Sequence, residues 1–181
     1  GFGAPASLYV TGAIIPVYLS DNNKVNDDSE TSYFFATGVK VPVSMVTVGG
    51  NFLYGNGATG NAGITENGSA GDVTPASYYS NDKGDVEATD YYAYAGFISV
   101  APMPCLSVNG EYVYTKFHNN NVFDDDPYVQ TYVGNVNIKT TKYTTLTFEW
   151  RNIKAKHFGY VLGTDDSESG NQFFAMYTYN F

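Results

Sequence analysis

Few residues in this chain have the type and spacing that chemistry needs. Three consecutive carboxylates, Asp124, Asp125 and Asp126, with the pairs Asp27–Asp28 and Asp165–Asp166, offer the clustered oxygens that Ca²⁺ or Mg²⁺ takes. None has the spacing of an EF-hand loop, and the competing reading is a solvated acidic rim. His118 and His157 have no serine nucleophile or acid at a recognisable distance, so no hydrolytic triad can be assembled and no enzyme is expected. Gly55-Asn56-Gly57-Ala58-Thr59-Gly60 matches GxGxxG, but a dinucleotide site also needs a helix opening at the third glycine. The chain continues instead with Asn61-Ala62-Gly63, so the stretch reads as a Gly/Asn-rich connection. A single cysteine, Cys105, leaves a thiolate zinc cluster without ligands and excludes an internal disulfide.

The elements that must position such residues are strands. Leu106, Val108, Gly110, Tyr112 and Tyr114 fall on one face of their segment, opposite Ser107, Asn109, Glu111, Val113 and Thr115. Leu146, Phe148 and Trp150 likewise oppose Thr145, Thr147, Glu149 and Arg151. A period of two is the signature of a strand, and no segment carries the 3.6 period of an amphipathic helix. The pattern predicts an all-β chain with eight strands, near 7–19, 32–42, 45–54, 89–101, 105–117, 128–139, 142–157 and 172–181. At 181 residues these form one domain, 1–181.

Charge sorts with the connections. The long ones, 20–32, 55–90, 118–127 and 159–171, carry a net −14, whereas the rest of the chain is +5 and the total is −9. Such an acidic surface repels phosphates, and no nucleic-acid partner is expected. Short connections, at Pro42–Ser44, Pro102–Pro104 and Thr140–Thr141, alternate strictly with the long ones. Aromatic residues make up 17% of the chain, with Tyr 17 and Phe 12, which excludes a disordered polymer. No apolar run is long enough for a spanning helix, but a barrel strand is apolar only on alternate residues.

The last segment, Gln172 to Phe181, places Phe173, Ala175, Tyr177, Tyr179 and Phe181 on one face. Here the chain resembles Gram-negative outer-membrane β-barrel proteins of the porin-like kind, whose closing strand ends in Phe with aromatic or apolar residues at every second position. The resemblance implies an antiparallel up-and-down transmembrane β-barrel in the bacterial outer membrane. In that family the terminal residues are the signal read by the barrel-assembly machinery. It also implies lipid and lipopolysaccharide as surroundings, whose phosphates Ca²⁺ or Mg²⁺ bridges, and no other cofactor.

With Leu106 and Leu146 facing lipid, parity places Glu111, Glu149 and Arg151 inside, and Lys40 and Lys139 with them. They would either line a water-filled passage or pair in a packed interior. The expected function is passive diffusion of small hydrophilic solutes or ions. In that case the connection 55–88, with Glu66, Asp72, Asp82 and Asp85, is the segment able to narrow the lumen. The alternative is a closed eight-stranded barrel that acts through its acidic loops. Eight strands enclose an interior that side chains just fill, whereas porins use about 16–18. A porin therefore requires these strands to be the carboxyl-terminal part of a larger barrel, and family habit then suggests a homotrimer.

Overall fold

In a computed structural model the described residues form an antiparallel sheet of eight long strands, with one short separate hairpin that follows the third of them in sequence. The structure describes residues 5–18, 29–57, 78–80, 86–118, 125–157 and 168–179. The strands are β1 (Ser7–Tyr18), β2 (Ser29–Val43), β3 (Val46–Asn56), β6 (Asp90–Met103), β7 (Leu106–His118), β8 (Tyr128–Lys139), β9 (Thr144–Lys156) and β10 (Glu168–Tyr179). The hairpin is β4 (Tyr78–Ser80) with β5 (Val86–Ala88). Sheet order is β1-β2-β3-β6-β7-β8-β9-β10, so the long strands pair in the order in which the chain makes them. The three tight connections fall at Ser44–Met45, Pro104–Cys105 and 140–143, all at one end. Ser44 takes a left-handed φ of 57° to make the first of them. Pro16 lies in edge strand β1 and Pro42 one residue from the end of β2, where a missing N–H costs least.

Closure of the ring, expected from the sequence, is not seen among the described residues. Among the described residues β1 and β10 are not hydrogen-bonded to each other, and they are the two edges of the sheet. A period of two tells which face each residue takes. It carries nothing about how tilt and stagger accumulate over eight strands, and those quantities decide whether first meets last.

The sheet is nevertheless curled. Seven successive strands, β2, β3 and β6 to β10, contribute residues to one cavity of about 420 Å³. Laid flat, their six spacings would spread over about 29 Å. A sphere of 420 Å³ is only about 9 Å across, so the concave face must wrap around it.

Register then sorts every residue to a face. The convex face carries unbroken apolar rows, such as Val41–Val48–Ile98–Gly110–Gly134–Trp150–Phe173 across seven strands. These side chains are solvent-open: Ile98 is 47% exposed, Phe148 47%, Ile14 77% and Phe173 77%. The concave face holds the buried core, made of Leu53, Tyr91, Ala93, Ala95, Val113, Phe117, Val129 and Ala155, towards the long-connection end. Small residues meet large ones there. Gly49 is the register partner of Phe97, Gly55 of Tyr91 and Gly38 of Tyr9, and each aromatic ring lies where the glycine's missing Cβ would stand.

Candidate functional site

The concave face is layered. Below the apolar core run two polar rows: Lys40–Gly49–Phe97–Glu111–Val133–Arg151–Gln172, and Thr47–Ser99–Asn109–Asn135–Glu149–Phe174. These rows form the waist of the trough, and Lys40, Thr47, Phe97, Ser99, Asn109, Glu111, Val133, Asn135 and Glu149 from them line its cavity with Asn51, Asn137, Thr147 and Met176. The positions come from strand parity. On β3 and β6 to β9 each of these side chains is an even number of residues from a core residue of its own strand, so the pleat turns it inward.

Amides are fixed to one another at this level. Thr147 Oγ1 donates to Asn137 Oδ1 at 2.6 Å, Asn137 Nδ2 to Asn135 Oδ1 at 3.1 Å, and Asn109 Nδ2 to the same Oδ1 at 2.6 Å. Arg151 Nη2 donates to Glu149 Oε1 at 2.8 Å. The Glu149 side chain is only 8% exposed, and the guanidinium carbon of Arg151 stands 5.4 Å from the Phe174 ring centre. Arg151 Nε is buried with no hydrogen-bond partner among the described residues. Of the pore-lining candidates, Lys40, Glu111 and Glu149 thus share one cavity, and Arg151 joins them through Glu149. Lys139 has concave parity but lies exposed at the short-turn end, outside the cavity.

The other candidates separate. Asp126 accepts from Lys116 Nζ at 2.8 Å and is 2.6 Å from His118 Nδ1, whereas Asp125 Oδ2 is 3.7 Å from His157 Nδ1. Burial on its own would raise the Asp126 pKa. The hydrogen bonds from Lys116 and His118, and their charge, outweigh that and hold the carboxyl below its ordinary value of 3.8. Asp124 lies outside the described residues, as do Glu66, Asp72, Asp82, Asp85 and Phe181. Among the described residues, no three of His, Cys, Asp and Glu are grouped to hold a metal. Phe173, Ala175, Tyr177 and Tyr179 all lie on the convex face of β10.

Set against protein-family models, curated proteins and solved structures, the chain matches none.

Sequence reasoning misses two features. It does not single out the waist amides, although Asn109, Asn135 and Asn137 sit at inward parity and an Asn there is the signal to look for. The β4–β5 hairpin also escapes it, because Tyr78–Ser80 and Val86–Ala88 are each too short to show a period.

Proposed function

We propose that this sheet is the wall of an outer-membrane β-barrel that passes small hydrophilic solutes or ions, in the manner of a porin. The observation that carries the reading is the combination of an apolar convex face with a polar concave waist, which inverts the arrangement of a water-soluble sheet. On β2, the convex row runs from Tyr33 to Val43. Ten residue steps rise about 33 Å, or about 25 Å along the membrane normal at a tilt near 40°. That is the height of the apolar band on transmembrane barrels.

Tyrosines bound the band. Tyr92, Tyr94, Tyr112, Tyr114, Tyr128 and Tyr132 form a contiguous cluster at the long-connection end, including a stacked Tyr94–Tyr114 pair at 5.1 Å. Tyr143 and Tyr179 meet at the other end, with Lys142 4.5 Å from the Tyr143 ring centre. Amphipathic rings at both limits suit two headgroup regions. Among the described strand residues, charges on the convex face occur only towards the long-connection end: Asp90, Lys116, Lys154 and Lys156.

In lipid the edges of β1 and β10 must be paired, because nothing there can hydrogen-bond an open strand. They run antiparallel, so they are able to pair with each other or to admit further strands between them. A second reading, a closed barrel, is favoured by one observation: the tightly buried core fills the trough towards the long-connection end.

The test is single-channel recording after reconstitution into planar bilayers. Discrete conductance steps are expected for the porin-like reading. Stable insertion with no steps would leave the closed barrel, and protein that never enters detergent or bilayer would end both.

A further inference from the structure

The convex face of β7 to β10 carries a groove of about 590 Å³, walled by Val108, Gly134, Val136, Phe148, Trp150 and Phe173. Gly134 on its wall presents no side chain, which leaves room between Val108, Val136 and Trp150. The Trp150 ring rests in ordinary contact distance of the place where a Gly134 Cβ would be, 3.7 Å away. Along β9 the chemistry then changes in steps on this same face. Two residues above Trp150 is Asn152, which meets Asn171 of β10, and the Asn171 side-chain carbonyl accepts from Trp150 Nε1 and Asn152 Nδ2, each at 3.1 Å. Two and four residues further are Lys154 and Lys156. Neither makes an ion pair among the described residues, whereas Lys116 on β7 is already bound to Asp126. At two residues per step, each tier lies about 7 Å from the next.

We infer that this face is a binding site for a phosphorylated, multiply acylated glycolipid of the lipid A kind. The groove takes acyl chain, the Asn152–Asn171 tier meets sugar hydroxyls, and the two lysines meet phosphate. The vertical order of the protein groups, apolar then amide then ammonium, is the order of the lipid's own parts. An ordinary phospholipid has only a glycerol diester between acyl chain and phosphate, which offers the amide tier acceptors but no hydroxyl. The lysines also lie at the long-connection end; transmembrane barrels carry their long loops on the outer side, and the outer leaflet of such a membrane is the glycolipid one. The inference rests on the membrane reading.

Trp150 is the single tryptophan of the chain, so its emission reports on the groove without labelling. Full-length protein in mild detergent is titrated with lipid A, phosphatidylglycerol, phosphatidylcholine and inorganic phosphate. Lipid A is expected to shift Trp150 emission at lower concentration than the other three. K154E/K156E is expected to weaken that response about tenfold or more, through the loss of two cations that each favour an anionic headgroup. Gly134→Leu, which fills the groove and keeps both lysines, is expected to blunt the shift independently. Equal responses to lipid A and phosphatidylglycerol, or an unchanged response in both variants, would overturn the assignment. Brominated phosphatidylcholine vesicles separate the two levels of the argument. Quenching of Trp150 without lipid A preference leaves the membrane wall standing and rejects the site, whereas no quenching rejects both.

Discussion

Ile98→Arg puts the most demanding question to the convex face. Ile98 lies on β6, six residues below Tyr92 of the upper tyrosine cluster and flanked by Val48 and Gly110 in the register. Six steps are about 20 Å along the strand and about 15 Å along the normal, just past the middle of a 25 Å band. On a water-facing surface, a side chain that is 47% exposed tolerates an arginine within about 0.5 kcal/mol. Facing hydrocarbon at that depth, the same change costs about 2–4 kcal/mol. Thr31→Arg is the internal control. It lies on the same face near the long-connection end of β2, where the cost falls to about 0–1 kcal/mol. Urea unfolding of both variants in phospholipid vesicles, tracked by Trp150 emission, measures the difference. If the two substitutions cost the same within error, lipid does not face Ile98 and the depth argument is wrong.

The concave face and its rim yield three further outcomes. Glu149→Gln leaves the guanidinium of Arg151 without its anion in a nearly closed setting and should destabilise the fold by about 3–5 kcal/mol in denaturant unfolding. The double change E149Q/R151M should recover most of it. Gly49→Ala drives a methyl group against the Phe97 ring and to 2.5 Å from the Val39 carbonyl, and thermal unfolding should show a loss of about 1–3 kcal/mol. Asp126→Asn removes the acceptor shared by Lys116 and His118. Because the folded carboxyl titrates below 3.8, its stabilisation is complete above that pH and is lost as pH falls through the lower, folded value. Melting temperatures of wild type and variant should therefore differ near neutrality and converge in strong acid.

Much of the architecture is readable in the sequence because it is local. The alternation at 105–117 and 143–152 assigns faces correctly, and Leu106, Val108, Leu146, Phe148 and Trp150 all lie on the convex side. Strand ends shift by a few residues, most at β10, which begins at Glu168 rather than 172, since Ser169 to Asn171 carry no apolar alternation to mark them. Parity also places Glu111, Glu149 and Arg151 inside. Their grouping with Lys40 is not legible, because register between distant strands depends on every turn and on the bulge between Val100 and Met103. The separation of Asp125 from Asp126 is equally hidden. Adjacent acids look alike in a sequence, and only the fold brings Lys116 and His118 to one of them.

The pairing of Gly49 with Phe97, Gly55 with Tyr91 and Gly38 with Tyr9 has a consequence for the breadth of the trough. Each ring reclines along the backbone of the next strand and does not project towards the axis. Of the three rings, Phe97 stands at the cavity, so the free cross-section there depends on a hydrogen atom at Gly49 in place of a methyl group. Substituting Gly49 would tilt that ring into the trough without altering a single charge. A family of related walls would be able to vary in calibre while keeping the same electrostatic lining.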